Sequence, residues 1–174
     1  MKKPAPQALS SRKSDNDKRR LKKTPDQATL ARLLRTATYQ GISRHKGNPR
    51  QFGLPPHNRP RGDETLCDVH ANFQPGDMAT LPVLLRRGLR AGLVGEVETQ
   101  GIPTIIWTVA DNGWIFEARI TNVGRAEYHG YPVRASEAIA RIVYDRFANW
   151  ARMHGGPQEI AAADTCRALY GFGQ

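Results

Sequence analysis

Three residues in the second half of the chain have side chains suited to moving protons and stabilising negative charge. Glu117 and Arg119 lie two residues apart in the stretch GWIFEARITN, and His129 follows in EYHGYPV. Residues two apart on a β-strand point to the same face, so Glu117 and Arg119 are expected to be neighbours. Metal-free RNA cleavage needs a base, an acid and a cation near the phosphorus. We interpret Glu117 as the base, His129 as the acid and Arg119 as the cation.

A second candidate region is the irregular stretch from Arg44 to His70, which contains four prolines. Proline removes a backbone donor and restricts the preceding residue, which argues against a helix or a central strand. Long irregular segments of compact domains are often functional. We expect its basic side chains to hold a phosphate backbone mainly through charge, with His45 as a further acid or base. The predicted nucleic-acid contacts are Arg44, Lys46, Arg50, Arg59 and Arg61.

Both candidate regions have a plainer interpretation. Glu117 and Arg119 could form an ordinary surface ion pair, with His129 in a turn. The basic loop could instead dock on the acidic remainder of the protein.

Cys67 and His70 have the C-x-x-H spacing of half a zinc site, to which His45 or His57 could add a ligand. A structural zinc site usually needs four ligands, however, and the sequence has no second such pair. We therefore favour a small buried cysteine. The acidic residues Asp63, Glu64 and Asp68 could hold a divalent ion, but pairing with Arg59 and Arg61 is preferred. We predict no metal and no cofactor, since no phosphate-loop pattern occurs either.

Charge is distributed unevenly along the 174 residues, whose formal net charge is +10. Residues 1–24 have a net charge of +7, residues 25–62 of +6 and the remainder of −3. Such a basic segment indicates a polyanionic partner, either nucleic acid or an acidic protein, although a solubilising tail has the same composition. No apolar run is long enough to span a membrane, and the N-terminus does not resemble a signal peptide. We predict a cytoplasmic protein without a disulfide framework.

The elements expected to position these residues form an α+β domain with a small antiparallel sheet packed against helices. Residues 1–23 have almost no apolar side chains and are predicted to be a disordered basic arm, with a single domain over 24–174. Thr24 is predicted to cap the first helix, with Gln27 completing a capping box. A second helix is expected over 80–91, with Arg86, Arg87 and Arg90 facing solvent.

Strands are predicted over 104–110, 114–121 and 126–133, because these stretches are rich in β-branched and aromatic residues. Asp111-Asn112-Gly113 is a strong hairpin signal between the first two. Two further helices, starting near Ser136 and Pro157, are expected to close the chain. One sheet face should pack on helices. The other should stay open and display the Glu117, Arg119 and His129 side chains.

The region from about Arg44 to Val133 resembles the barnase–EndoU–colicin–RelE group of metal-independent ribonucleases, many of which are bacterial toxins. The resemblance rests on the order Glu117, Arg119, His129 and on the loop at His45-Lys46. It implies RNA cleavage through a 2′,3′-cyclic phosphate without a metal. It also implies a toxin role and an acidic protein partner that neutralises the basic face.

The preferred hypothesis is therefore a metal-independent endoribonuclease. Two alternatives remain. The chain could be a non-catalytic nucleic-acid-binding protein, such as a phage or plasmid accessory factor, which grips a phosphate backbone. It could otherwise dock its basic arm on an acidic protein with no nucleic acid involved.

Overall fold

The computed structural model describes residues 18–57 and 64–173. In these residues a four-stranded sheet is combined with helices on both sides, which confirms the predicted α+β class. The helices are α1 (Gln27–Thr36), α2 (Cys67–His70), α3 (Leu81–Arg90), α4 (Ala138–His154) and α5 (Pro157–Tyr170). The strands are β1 (Thr38–Tyr39), β2 (Glu98–Thr99), β3 (Ile102–Pro103), β4 (Ile105–Val109), β5 (Ile115–Asn122) and β6 (Glu127–Pro132).

The sheet has the strand order β1-β6-β5-β4, and β2 and β3 form a separate small hairpin. Strands β4, β5 and β6 are antiparallel neighbours, as predicted, whereas the short strand β1 pairs with β6 in parallel. The turn between β4 and β5 contains Gly113 at a φ of +84°, a conformation that glycine adopts at little steric cost. The predicted hairpin is therefore present.

Helices cover both faces of the sheet, so the prediction of one open face is wrong. On one face, Leu33 of α1 and Leu89 of α3 share a core with Ile106 and Tyr128. On the other face, α4 and α5 contact β4. Successive strand residues alternate between faces, which places Glu117 between the two helices and the sheet. The side chains on this face become accessible only towards the far end of β5, from Arg119 onwards.

The first helix starts later than predicted, because Asp26 and not Thr24 is its N-cap. The Asp26 carboxylate accepts a hydrogen bond from the backbone N–H of Thr29 at 2.8 Å, which is the role of an N-cap side chain. On α3, Arg86 and Arg90 are exposed as predicted, but Arg87 is buried. Its guanidinium donates to the carbonyl oxygen of Val109 at 2.9 Å and pairs with Asp111.

Part of the predicted basic arm belongs to the folded domain. Leu21 is buried and forms an isolated β-bridge with Gly95. The neighbouring residue Val94 forms a second bridge with Ile106 of β4, so this segment extends the sheet beyond β4. Arg19 is also buried. Residues 19–21 therefore belong to the folded domain, and the predicted boundary at residue 23 is wrong for them. Residues 1–17 lie outside the described residues.

Helix α3 approaches β4 closely at Gly88. A Cβ atom at this position would lie 2.1 Å from the carbonyl oxygen of Trp107. Glycine is therefore required here although it is unfavourable in a helix interior. Among the helices described, none is long and apolar enough to cross a membrane.

Candidate active site

Glu117 lies at the centre of a buried network on the face of the sheet covered by α4 and α5. Its cross-strand neighbours are Trp107 on β4 and Tyr131 on β6. Its side chain is 0% exposed. One carboxylate oxygen, Oε2, accepts from the Trp107 indole N–H at 3.0 Å, and the other, Oε1, accepts from the Tyr131 hydroxyl at 2.5 Å. Three adjacent strands thus contribute to one hydrogen-bonded cluster.

Two arginines neutralise this carboxylate, one near the N-terminus and one two residues beyond Glu117. Arg19 Nε donates to Glu117 Oε2 at 2.8 Å, and Arg119 Nε donates to Oε1 at 2.8 Å. Arg19 also pairs with Glu137, the N-cap residue of α4, at 2.5 Å. Buried charges are usually paired and hydrogen-bonded, and the Glu117 carboxylate accepts hydrogen bonds from four side chains.

This environment argues against the predicted role of Glu117 as general base. Burial acts to raise the pKa of Glu117, but the charges of Arg19 and Arg119 and the hydrogen bond from Tyr131 outweigh it. The pKa therefore lies below its usual value. A general base must also reach the proton it removes, and a side chain with no exposed surface does not. Glu117 is instead a positioning residue that fixes Arg119 and Tyr131.

His129 lies directly opposite Arg119 in the pairing of β5 with β6, on the same face as Glu117. The register therefore brings together the three residues that the sequence singled out. His129 Nδ1 lies 2.7 Å from the Thr121 hydroxyl oxygen, which leaves Nε2 for other partners. Burial, followed by the nearby charges of Arg119 and Arg44, lowers the pKa of His129.

His45 joins this group from a 3₁₀ turn at Ser43–His45. Its ring stacks almost parallel on the His129 ring, with 5.4 Å between centroids and 9° between planes, and it also contacts Tyr131. Its Nδ1 is buried without a hydrogen-bond partner among the described residues. Burial, reinforced by the charge of His129, lowers the pKa of His45 to about 4.

Two guanidinium groups flank the histidine pair and remain accessible. The side chain of Arg119 is 38% exposed and that of Arg44 is 48% exposed. Arg44 Nε donates to Glu64 at 2.6 Å. Arg44 is close enough to influence the charge of both histidines. The described residues thus place the half-buried ring of His129, the mostly buried ring of His45 and two accessible cations at one end of a buried scaffold, an arrangement suited to a phosphodiester.

Lys46 does not belong to this surface, although we predicted it as a phosphate contact. It is 3% exposed, and its ammonium group lies 5.1 Å and 5.2 Å from the ring centroids of Phe52 and Phe73. His45 at the end of the 3₁₀ turn contacts His129 and Tyr131. Lys46, the next residue, is instead enclosed by aromatic rings.

The remaining predicted residues are separate from the histidine pair. Cys67 is buried with its sulfur 3.7 Å from the carbonyl oxygen of Gly130, and His70 Nδ1 accepts from the Leu66 N–H at 2.9 Å. Within residues 18–57 and 64–173, no group of three or more His, Cys, Asp or Glu side chains could hold a metal ion. Arg50 is exposed. The predicted contacts Arg59 and Arg61, together with Asp63, lie outside the described residues.

The acidic residues of the loop have structural partners. Both oxygens of Asp68 accept backbone N–H groups, from Gly47 at 2.7 Å and from Asn48 at 2.8 Å. These bonds fix the start of the basic loop, and Glu64 pairs with Arg44 as described above. The preferred interpretation of this acidic cluster as ion pairs fits Glu64, which pairs with Arg44. The predicted partners Arg59 and Arg61 lie outside the described residues.

The site residues predicted from the sequence did not include Tyr131, Trp107 or Arg19. Tyr131 could have been found from strand alternation, because it is two residues beyond His129. Trp107 could have been found from the register that the hairpin turn imposes. Arg19 has no such signal, since it is one basic residue among many in a segment without periodicity.

No family model, curated protein or solved structure matches this chain.

Proposed function

We propose that the chain is a metal-independent endoribonuclease in which His45 and His129 form the acid–base pair. The observation that carries the proposal is the parallel stacking of the two imidazole rings, 5.4 Å apart, beside the accessible guanidinium of Arg119. Two imidazoles and a cation supply the three functions that metal-free RNA cleavage needs. The expected cytoplasmic location and a toxin role remain part of this proposal.

The roles of the two histidines follow from their surroundings. His45 is more enclosed and its pKa is lowered to about 4, so it is neutral over most of the pH range and suits the base. Neutral His45 takes the proton of the ribose 2′-hydroxyl through Nε2, and the 2′-oxygen forms a bond to phosphorus. The bond from phosphorus to the 5′-oxygen breaks, and protonated His129 gives its proton to that oxygen. The products are a 2′,3′-cyclic phosphate and a 5′-hydroxyl.

Arg119 supplies positive charge where negative charge develops on the phosphate oxygens. Its guanidinium is held by Glu117 Oε1 at 2.8 Å, and it lies over the Tyr131 ring at 5.9 Å. A cation fixed in advance stabilises a transition state without having to reorganise. Arg44 lies on the accessible side and would bind a neighbouring phosphate.

The lowered pKa values imply cleavage that is strongest in mildly acidic solution. His129 must be protonated to act as the acid, and its pKa lies below the ordinary value of 6.5. Activity should therefore rise as the pH falls below 6.5 and should decline again as the pH approaches 4, where His45 becomes protonated.

The decisive experiment incubates the purified protein with total RNA at pH 5.5 in excess EDTA. We expect cleavage with 2′,3′-cyclic phosphate ends, and a loss on the order of 10²-fold or more in His129→Ala and in His45→Ala. His154→Ala is a matched control, because His154 is exposed at the end of α4. Intact RNA at every pH, or cleavage that EDTA abolishes, would overturn the proposal.

A second candidate function is nucleic-acid binding without catalysis. Both histidines have lowered pKa values, so at neutral pH the site holds two hydrogen-bonding neutral rings beside two arginines. RNA that stays intact while its mobility shift weakens with salt would support this alternative, since phosphate contacts are salt-dependent.

A further inference from the structure

A cavity of about 300 Å³ lies at the hairpin end of β4 and β5, apart from the histidine pair. Its floor is apolar and largely aromatic, consisting of Phe73, Leu84, Trp114 and Phe116. The segment 70–80, which joins α2 to α3, forms the opposite side. Because Phe116 and Glu117 are successive residues of β5, the cavity and the Glu117 network lie on opposite faces of the sheet.

The polar groups around the cavity provide hydrogen-bond donors that the protein does not use. Asn72 Oδ1 accepts from the Gln74 amide, but the Asn72 amide nitrogen has no acceptor among the described residues. In the tautomer whose Nδ1 accepts from the Leu66 N–H, His70 Nε2 carries a ring proton and has no acceptor among the described residues. The Trp114 indole N–H also has no acceptor among the described residues.

The charges of the cavity exclude a phosphate as its ligand. Neither lysine nor arginine lines it, whereas the carboxylates of Asp77 and Asp111 do. Asp111 is already paired with Arg87 at 2.8 Å and accepts from Gln158. A ligand that fits is therefore uncharged, planar enough to lie against aromatic side chains, and rich in hydrogen-bond acceptors along its edge.

The backbone at Asn72 explains why this residue lies at the cavity rim. Its φ is +51°, and it follows Ala71, the C-cap of α2, at a position where asparagine often takes the left-handed conformation that ends a helix. This turn presents the unused amide donor of Asn72 at the rim.

We propose that this cavity binds a nucleobase through stacking on its aromatic floor and through donors from Asn72, His70 and Trp114. Proteins recognise unpaired bases in this way, by aromatic stacking and by hydrogen bonds to base edges. The inference rests on the proposed function, which supplies nucleic acid as the ligand. It assigns phosphate contacts and base contacts to opposite faces of the same sheet.

Free nucleosides test this site without involving the phosphate contacts. Adenosine, guanosine, cytidine and uridine are titrated into the intact protein by calorimetry, and the indole N–H resonances are followed by NMR. We expect at least one nucleoside to bind and to shift one indole resonance, which is lost in Trp114→Phe. The variant Asn72→Asp keeps the shape and the acceptor used by Gln74 but removes the donor, so binding should weaken about tenfold.

The control is Asn122→Asp, which makes the same charge change at the other end of β5. The inference is overturned if no nucleoside binds at millimolar concentration, or if Asn72→Asp and Asn122→Asp bind equally well. Arg119→Gln should cleave RNA poorly yet bind nucleosides normally. RNA cleavage without nucleoside binding would overturn this inference alone, whereas nucleoside binding without cleavage would overturn the catalytic proposal alone.

Discussion

At the scale of residues, the molecule places its titratable groups in two settings. Glu117 is enclosed and paired on every side, whereas His45 is enclosed with no hydrogen bond to Nδ1 among the described residues. The first is held in its charged form and the second in its neutral form. The surroundings, and not the residue types alone, therefore decide which groups can exchange protons with a substrate.

The neutral state of His45 makes the stability of the fold depend on pH. Its pKa is about 4 in the folded protein and about 6.5 when unfolded, so the unfolded chain binds the extra proton more readily between these values. The free energy of unfolding should fall as the pH decreases from 6.5 to 4, by about 3 kcal/mol from this residue. Urea unfolding across that range measures it.

In His45→Gln the decrease should be smaller, because the substituted side chain does not titrate. His154→Gln should behave like the unchanged protein, since His154 is exposed. An equal pH dependence in all three proteins would contradict the buried, neutral state of His45.

Replacing Glu117 with glutamine should destabilise the fold severely. The substitution removes the negative charge that Glu117 offers to Arg19, whose side chain is 6% exposed, and to Arg119. Removing one partner of a buried pair typically costs about 3–5 kcal/mol, which chemical denaturation detects. Glu98→Gln is the matched control, because its pair with Lys22 is partly exposed and should contribute about 1 kcal/mol or less.

At the scale of elements, the contact between α3 and β4 depends on the absence of a side chain at Gly88. In Gly88→Ala the new Cβ would overlap the carbonyl oxygen of Trp107, so helix and strand must separate. Overpacking of this kind costs about 1–3 kcal/mol or more, despite the higher helix propensity of alanine. Thermal unfolding is the measurement. Gly76→Ala, where a Cβ meets nothing within 4 Å, should change the melting temperature little.

Local sequence patterns predicted the elements of the sheet but not what covers it. The turn at Asp111-Asn112-Gly113 and the alternation along β5 located the hairpin and put Glu117 and Arg119 on one face. Those patterns do not say which helix packs on which face, because both faces of β5 carry some apolar side chains. Glu117 was therefore expected in solvent, although α4 and α5 bury it.

At the scale of the whole molecule, the helices on the two faces of the sheet differ in charge. Helices α1 and α3 carry no acidic residue, and their arginines are exposed apart from Arg87. Helices α4 and α5 carry charges of both signs, some of them in pairs such as Arg141 with Asp145. Because α1 and α3 lie on the face of the sheet opposite the histidine pair, their arginines add a general attraction for a polyanion but do not contact the phosphate bound at that pair.

The salt dependence of RNA binding tests the contribution of Arg44 to that attraction. Each phosphate contact on single-stranded nucleic acid changes the slope of log K against log salt by about 0.7. Arg44→Gln should reduce the slope by about that amount in titrations followed by fluorescence anisotropy. Arg152→Gln, an exposed change on α4, should leave it unchanged, and a reduced slope in Arg152→Gln alone would place the nucleic acid elsewhere.

The docking of Arg19 has a consequence for the order in which the chain folds. Its bonds to Glu117 and Glu137 join residues 98 and 118 positions apart, and contacts of such high sequence separation form slowly because a long loop must close first. During synthesis Arg19 leaves the ribosome well before either partner exists. The bonds of Arg19 to Glu117 and Glu137 therefore form late, so a nascent chain should complete the network that holds Arg119 only after α4 has begun to form.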